Sequence, residues 1–300
     1  MDPIAVTVRV PATSANLGAG FDCLGLALDI FASIRVTFSE AVREPTEDVG
    51  EKMVLTAVRQ TYTKLGKAPP PGLSAAYLLA IPLGRGLGAS AVARVAGVLA
   101  VNEFEGHPLD PDACLAIASD LEGHGDNACP AMFGGMQVCV ATESGYAHLA
   151  CRYPADAHIA VLVPDHGMAT KEARKVLPDS YSRADVVHNI GRASLFVAAM
   201  AAGRLDLLDE ATRDRIHQPQ RAALFPPLFD IFAAAKAAGA HAVWLSGAGS
   251  SVAAVCSGDT VRDAAAAMLQ ALQSAGMTGR SLVTRIAAQG AEVATVALAE

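Results

Sequence analysis

Residues 82–91 read Pro82-Leu-Gly-Arg-Gly-Leu-Gly-Ala-Ser-Ala91, three glycines alternating with larger residues and closing on a serine. Glycines at 84, 86 and 88 let the backbone turn tightly and let amide groups reach an anion with no Cβ in the way. A strand is expected just before, over Tyr77–Ile81, and an apolar helix just after, over Ala91–Phe104. The unpaired amides and positive dipole end of a helix starting near Ser90 add to the loop, so the segment suits a polyphosphate. A Walker-type loop is excluded, because it needs Gly-Lys-Ser/Thr and no lysine is present. Gly86-x-Gly88-x-x-Ala91 fits a relaxed dinucleotide fingerprint. A dinucleotide unit would continue into a second parallel strand, however, and here a second helix over Pro111–Leu121 and a Gly134-Gly135 turn follow. A tight turn without a ligand is the remaining alternative, although three alternating glycines are costly for stability alone.

Upstream of the loop, Ala5–Val10 alternates as a strand expected to end at Pro11, and a polar, glycine-bearing loop follows over Thr13–Asp22. Leu24–Phe38 is apolar and β-branched enough for one or two strands, and Val54–Leu65 has helical spacing. Downstream, Met136–Ala141 and His158–Val163 read as strands. Helical stretches are expected at Lys171–Val176, Val186–Ala202 and Phe229–Ala238. Strands Ala242–Leu245 and Val252–Cys256 flank a glycine turn, Ser246–Ser251, which either closes on the site or simply packs as a hairpin. An amphipathic helix over Asp259–Ser274 and a final strand over Ser281–Ala287 complete the pattern. That order, β, helices, β, β, α, β, is a split βαβ or ferredoxin-like sandwich. The expected division is residues 1–153 and 154–300.

The chain has 300 residues, enough for two domains, and is 52% hydrophobic and 18% charged, which favours a buried core over disorder. A net charge of -7 argues against nucleic acid as a partner, since phosphate backbones need a basic face. The six cysteines include no Cys-x-x-Cys pair, so free thiols in a reducing compartment are expected. There is no signal-peptide pattern at the N-terminus and no apolar run long enough for a bilayer, so a cytoplasmic protein without a membrane partner is expected.

Several further segments fall in a recognisable order. Pro82–Ala91 is similar to the ATP-binding signature of the GHMP kinases. Pro11-Ala-Thr-Ser-Ala-Asn-Leu-Gly-Ala-Gly-Phe-Asp22 resembles the N-terminal motif of the homoserine kinase branch. Glu122-Gly-His-Gly-Asp-Asn-Ala-Cys-Pro130 with Phe133-Gly-Gly135, Thr170-x-x-x-Arg174, Asp214–Arg221 and Ser246–Ser251 resemble later segments of the same branch. The resemblance implies an α+β, two-domain GHMP kinase fold. Its N-terminal domain would be ribosomal S5 domain 2-like, its C-terminal domain a ferredoxin-like sandwich, with ATP between them.

It also implies a chemistry: transfer of the terminal phosphate of ATP to the hydroxyl of L-homoserine, with Mg²⁺, in threonine biosynthesis. The nucleotide would lie along Pro82, Leu83, Gly84, Arg85, Gly86, Leu87, Gly88, Ala89, Ser90 and Ala91. The Ser90 hydroxyl would contribute to the metal. The second ligand of the family is a Glu shortly before the His-x-Asp-Asn segment. Asp120 stands there, one methylene shorter, and is expected over its competitor Glu122 because hard-oxygen ligation tolerates a water bridge. For the acceptor, a carboxylate wants a forked guanidinium, and Arg174 and Arg221 match the positions. Asp22 suits the ammonium, and Asn16, His124 and Asp126 match other acceptor contacts. Asn127 and Thr170 would orient the transferring group, with Arg174 as a charge stabiliser and no evident strong base. Two departures stand out: Ala89 replaces one serine of the usual pair, and an adenine-contacting Asn is not evident around Glu51–Leu55. Another small alcohol as acceptor, or a non-catalytic nucleotide-binding protein of the same fold, stays open. So does the oligomeric state, with a homodimer as one option.

Overall fold

The structure is a computed structural model and describes residues 2–298. Two long strands, β1 (Ile4–Ala15) and β2 (Leu24–Ser39), form an antiparallel pair at the centre of the first sheet. Val6, Val8 and Val10 repeat every second residue, as a strand requires, and all are fully buried. Pro11 does not end β1 as the sequence suggests. The ladder shifts register between Pro11 and Ala12, where a residue without an N–H costs no regular ladder bond, and pairing resumes to Ala15. Thr13 and Ser14 are therefore held on a strand, rather than in a loop.

β3 (Gly72–Leu79), longer than expected, pairs with β2. β4 (Met136–Thr142) also pairs with β2 and forms a hairpin with β5 (Gly145–Cys151). Four helices accompany this sheet: α1 (Val49–Leu65), α2 (Ala89–Phe104), α3 (Pro111–Glu122) and the short α4 (Ala128–Phe133). The Asp48 and Asp110 carboxylates cap α1 and α3 by accepting from Glu51 and Ala113 amides, and Pro111 sits in the first turn of α3.

The second sheet contains β6 (His158–Pro164), β7 (Ala242–Leu245), β8 (Val252–Cys256) and β9 (Gly279–Arg285), all antiparallel in the order β7-β8-β6-β9. Between β6 and β7 lie α5 (Thr170–Lys175), α6 (Arg183–Ala202), α7 (Leu208–Ala211), α8 (Gln218–Arg221) and α9 (Leu228–Ala237). Between β8 and β9 lies α10 (Val261–Ser274). Alternate residues of β6 serve two cores. Ala160 and Leu162 pack with Ile231 of α9 and Met268 of α10. Ile159, Val161 and Val163 join Trp244, Phe196 of α6 and the first sheet. The second sheet is thus covered on both faces, and its inner face shares one core with the first unit.

The chain does not finish at β9. β10 (Glu292–Leu298) pairs antiparallel with β1, from Ile4↔Leu298 to Arg9↔Glu292. Residues 292–298 thus belong to the sheet of the first unit, and a simple cut at 153/154 does not follow the sheets. The pairing covers an edge of β1 that would otherwise be open. All six cysteines are free thiols, four of them buried. No helix among the described residues is long and apolar enough to cross a membrane.

Candidate active site

The loop at residues 82–91 lies in a cleft between the two sheets. Gly86 and Gly88 have φ of +77° and +69°, the left-handed region that glycine adopts without strain. The space around them is as demanding as the angle. A Cβ on Gly86 would stand 2.1 Å from the Ser246 carbonyl, and one on Gly88 1.8 Å from Thr13 Oγ1. α2 starts at Ala89, and no side chain caps its first turn. Its terminal amides therefore remain available to an anion at the cleft. Leu83, Gly84, Gly86, Gly88, Ala89 and Ser90 line that cleft. Leu87 and Ala91 are buried beneath it, and Arg85 turns away to donate from Nη2 to the Asp165 carbonyl at 2.6 Å. Gly88→Ala is expected to lower turnover at least about a hundredfold and Tm by several degrees, since it adds a clash to a left-handed backbone worth ~1–2 kcal/mol. Thermal melts and steady-state rates check it.

The Ser246–Ser251 turn joins both parts of the cleft. Trp244 Nε1 donates to Ser14 Oγ at 2.9 Å, Ser14 and Ser246 hydroxyls meet at 2.7 Å, and Ser246 Oγ donates to the Gly86 carbonyl at 2.6 Å. The Ser251 amide donates to the Arg85 carbonyl, and the Gly247 amide to the Ala15 carbonyl. The turn is therefore both a packed hairpin and a brace for the phosphate loop.

Asp120 does not reach the cleft. It is exposed on α3 beside Tyr146. Glu122 lines the cleft instead, its side chain 8% exposed. Glu122 Oε2 accepts from Ser90 Oγ at 3.1 Å, and Oε1 pairs with Arg94 Nη1 at 2.5 Å. Two residues turn a helix by about 200°, so the two carboxylates leave on opposite faces. The buried stripe Leu115, Ala118 continues at Glu122 by the i, i+3, i+4 rule and leaves Asp120 outside. That phase was present in the sequence, and it brings Glu122 rather than the expected Asp120 to the cleft.

The acceptor end holds the remaining predicted residues. Arg174 Nη1 and Nη2 donate to the two Asp22 oxygens at 3.0 and 2.7 Å, a forked pair linking α5 to the loop after β1. Burial alone would lower the Arg174 pKa, but Asp22 outweighs it and the pKa is raised. Asn16 holds its own loop: its Oδ1 accepts from the Asp22 amide at 3.0 Å, and Nδ2 donates to the Gly247 carbonyl at 2.9 Å. His124 Nδ1 pairs with Asp126 Oδ1, which also accepts from Asn127 Nδ2 at 3.2 Å. Burial opposes charge on His124, but Asp126 and Asp22 prevail and its pKa is raised. Asn127 Oδ1 accepts from Thr13 Oγ1 at 2.8 Å, so Thr13 fixes which way that amide points. Thr170, the first residue of α5, lines the same cleft.

Arg221 is 2% exposed and donates only to neutral partners: the Ala173 carbonyl from Nε at 3.1 Å, and the Gly247 carbonyl and His217 Nδ1 from Nη1 at 3.0 and 3.2 Å. Among the described residues it has no carboxylate within ion-pair distance. Burial first, then the Arg174 cation, push its pKa down to about 10, so it stays charged at neutral pH. A buried cation lacking an anion is costly, and this one faces the cleft. In the same cleft, Asp22, His124 and Asp126 bring ligand atoms within 4.8 Å of one another. The arrangement offers a positive and a negative end to one small zwitterion.

Sequence reasoning did not assign a role to Thr13, Ser14, Arg94, Asn189 or His217. The first two lie in the quoted Pro11–Asp22 motif, where a strand running through Pro11 would have exposed their role. The others act through contacts between segments far apart in the chain.

A glycine cradle at a helix start, set between two α+β units beside an acceptor pocket, defines the class as a GHMP-type small-molecule kinase. Residues 52–135 match the family described as GHMP kinases N terminal domain, and residues 196–274 match GHMP kinases C terminal. The homoserine kinase of Deinococcus radiodurans is 44% identical over 254 residues, covering 82% of each chain. That of Nostoc is 38% identical over 288 residues, covering 91% of this chain and 94% of the relative. The crystal structure of homoserine kinase from Cytophaga hutchinsonii superposes with a TM-score of 0.86 at 27% identity, covering 96% of both chains. The chain belongs to the homoserine kinase family of the GHMP kinases.

Proposed function

We propose that this chain transfers the γ-phosphoryl group of ATP to the side-chain hydroxyl of L-homoserine, giving O-phospho-L-homoserine and ADP in a cytoplasmic step of threonine biosynthesis. The observation that carries the reading is Arg221, a buried cation with no carboxylate of its own, lining the same cleft as the phosphate loop. A substrate carboxylate fits it, and Asp22 takes the ammonium once Arg174 turns to the substrate. Homoserine can replace each half of the Asp22–Arg174 pair with one of its own charges.

The loop amides and the start of α2 hold the phosphates. The apolar side of the cleft, at Val49, Met53 and Leu83, suits the adenine. Ser90 and Glu122 fit Mg²⁺, because both are hard oxygen donors, 3.1 Å apart, at the edge of the phosphate cradle. A bound Mg²⁺ there offsets charge on the phosphates. Asn127, fixed by Thr13 and Asp126, and Thr170 orient the transferring group. Arg174 stabilises its charge. Asp126 is occupied by His124 and Asn127, which agrees with a loose transition state in which the hydroxyl proton leaves late. In architectural terms, we read the first unit, with β10 added to residues 1–153, as S5 domain 2-like, and the rest of 154–300 as ferredoxin-like.

A coupled ADP-release assay over a panel of alcohols tests the proposal. L-homoserine should be turned over, and mevalonate and shikimate, which lack the ammonium, should not. Turnover of another alcohol without L-homoserine would move the acceptor. ATP binding with no turnover at all would make the chain a non-catalytic nucleotide-binding protein.

A further inference from the structure

Arg221 and the loop Asn16–Asp22 come from distant parts of the chain, yet one side chain touches both. His217 is fully buried. Its Nε2 lies 2.7 Å from the Gly18 carbonyl, and its Nδ1 lies 3.2 Å from Arg221 Nη1. A carbonyl only accepts, so Nε2 carries the proton. A guanidinium only donates, so Nδ1 offers its lone pair. Only the neutral Nε2–H imidazole makes both bonds, and burial favours that neutral form.

We infer that His217 is the positioning residue of the acceptor clamp, holding the Asp22-bearing loop and the Arg221 guanidinium at a fixed separation through one donor and one acceptor of the same ring. The inference rests on the homoserine reading above. His217 does not line the cleft itself, and it acts through Arg221 and Gly18. Phe21, one residue before Asp22, stacks on the imidazole with centroids 5.2 Å apart and planes at 26°. The same ring lies 5.3 Å from Arg221 Cζ and 5.5 Å from Arg174 Cζ. Both arginines and His217 are thus gathered around one aromatic side chain of the loop.

The backbone that presents His217 is fixed independently. Asp214 accepts from the amides of Ile216, His217 and Gln218 at 2.9, 2.8 and 2.6 Å. It also accepts from Asn189 Nδ2 at 2.6 Å, and that nitrogen reaches the Ala19 carbonyl at 3.3 Å. The platform beneath the imidazole is therefore tied to the same loop by a second route. A histidine that only filled space would need neither hydrogen bond.

His217→Phe keeps the stacked ring and removes both bonds. His217→Gln supplies one donor and one acceptor from a single amide. For the phenylalanine variant, KM for L-homoserine is expected to rise at least about tenfold, with kcat and KM for ATP within about threefold. The glutamine variant should recover most of that loss. Equal rises in both KM values, a fall in kcat alone, or flat values in a folded His217→Phe would overturn the inference. A second measurement needs no variant. ¹⁵N shifts of labelled wild type should show the Nε2–H tautomer, with Nδ1 moving on addition of L-homoserine and not of ADP. An Nδ1–H tautomer would also overturn it. Wild type inactive on L-homoserine defeats the functional reading instead, so the two failures are distinguishable.

Discussion

Glu122→Gln lowers kcat by about a thousandfold and raises the Mg²⁺ concentration needed for half-maximal rate, whereas Asp120→Asn leaves both within about twofold. The contrast follows from helix phase. Glu122 points at Ser90, with one oxygen on the serine hydroxyl and the other on Arg94. Asp120 is exposed on the other side of α3, outside the cleft. The amide variant keeps the shape of Glu122 and loses its charge, so the proposed metal ligand is removed and Arg94 loses its anion in one step. Steady-state rates over a Mg²⁺ titration read both effects. A tolerant Glu122 alongside a crippled Asp120→Asn would return the ligand to Asp120.

The second large effect separates function from stability. Arg221→Met is expected to lower kcat/KM for L-homoserine by about a hundredfold or more, because the proposed desolvated contact between the guanidinium, through its free Nη2, and the substrate carboxylate is lost. Its Tm should stay within about 4 °C of wild type, because an apolar side chain of similar length replaces a buried charge that has only neutral partners. The Gly247 carbonyl keeps its bond from Asn16. A collapse of Tm with unchanged homoserine KM in the surviving protein would make Arg221 a structural tie and remove the basis for a carboxylate in this pocket.

What could be read from the sequence was set by how local each demand is. Three glycines with positive φ, a serine at a helix start and the strands Ala242–Leu245 and Val252–Cys256 are fixed by their own residues, and the structure has those strands with the same bounds. β10 could not be read that way. Its alternation is short, and its partner β1 lies at the other end of the chain, so only tertiary pairing makes it a strand. Pro11 misled for a related reason: a proline ends a ladder unless the register shifts beneath it, and the shift depends on β2. In the site, Asp22, Arg174, Arg221, His124, Asp126 and Asn127 were reached through a family resemblance spanning nearly the whole chain, and they gather in one cleft. Asp120, expected at the metal, lies outside the cleft because motif spacing ignores helix phase. Thr13 and His217 stayed hidden because each acts by fixing another functional group from far along the chain.

The central claim is that one cleft holds a triphosphate and a hydroxylated zwitterion close enough for transfer. ³¹P NMR of the protein with ATP, Mg²⁺ and L-homoserine addresses it without a coupling enzyme. A phosphate monoester resonance should grow as the γ-phosphate signal disappears, with little inorganic phosphate. Release of inorganic phosphate alone, or an unchanged spectrum alongside demonstrated ATP binding, would contradict the account.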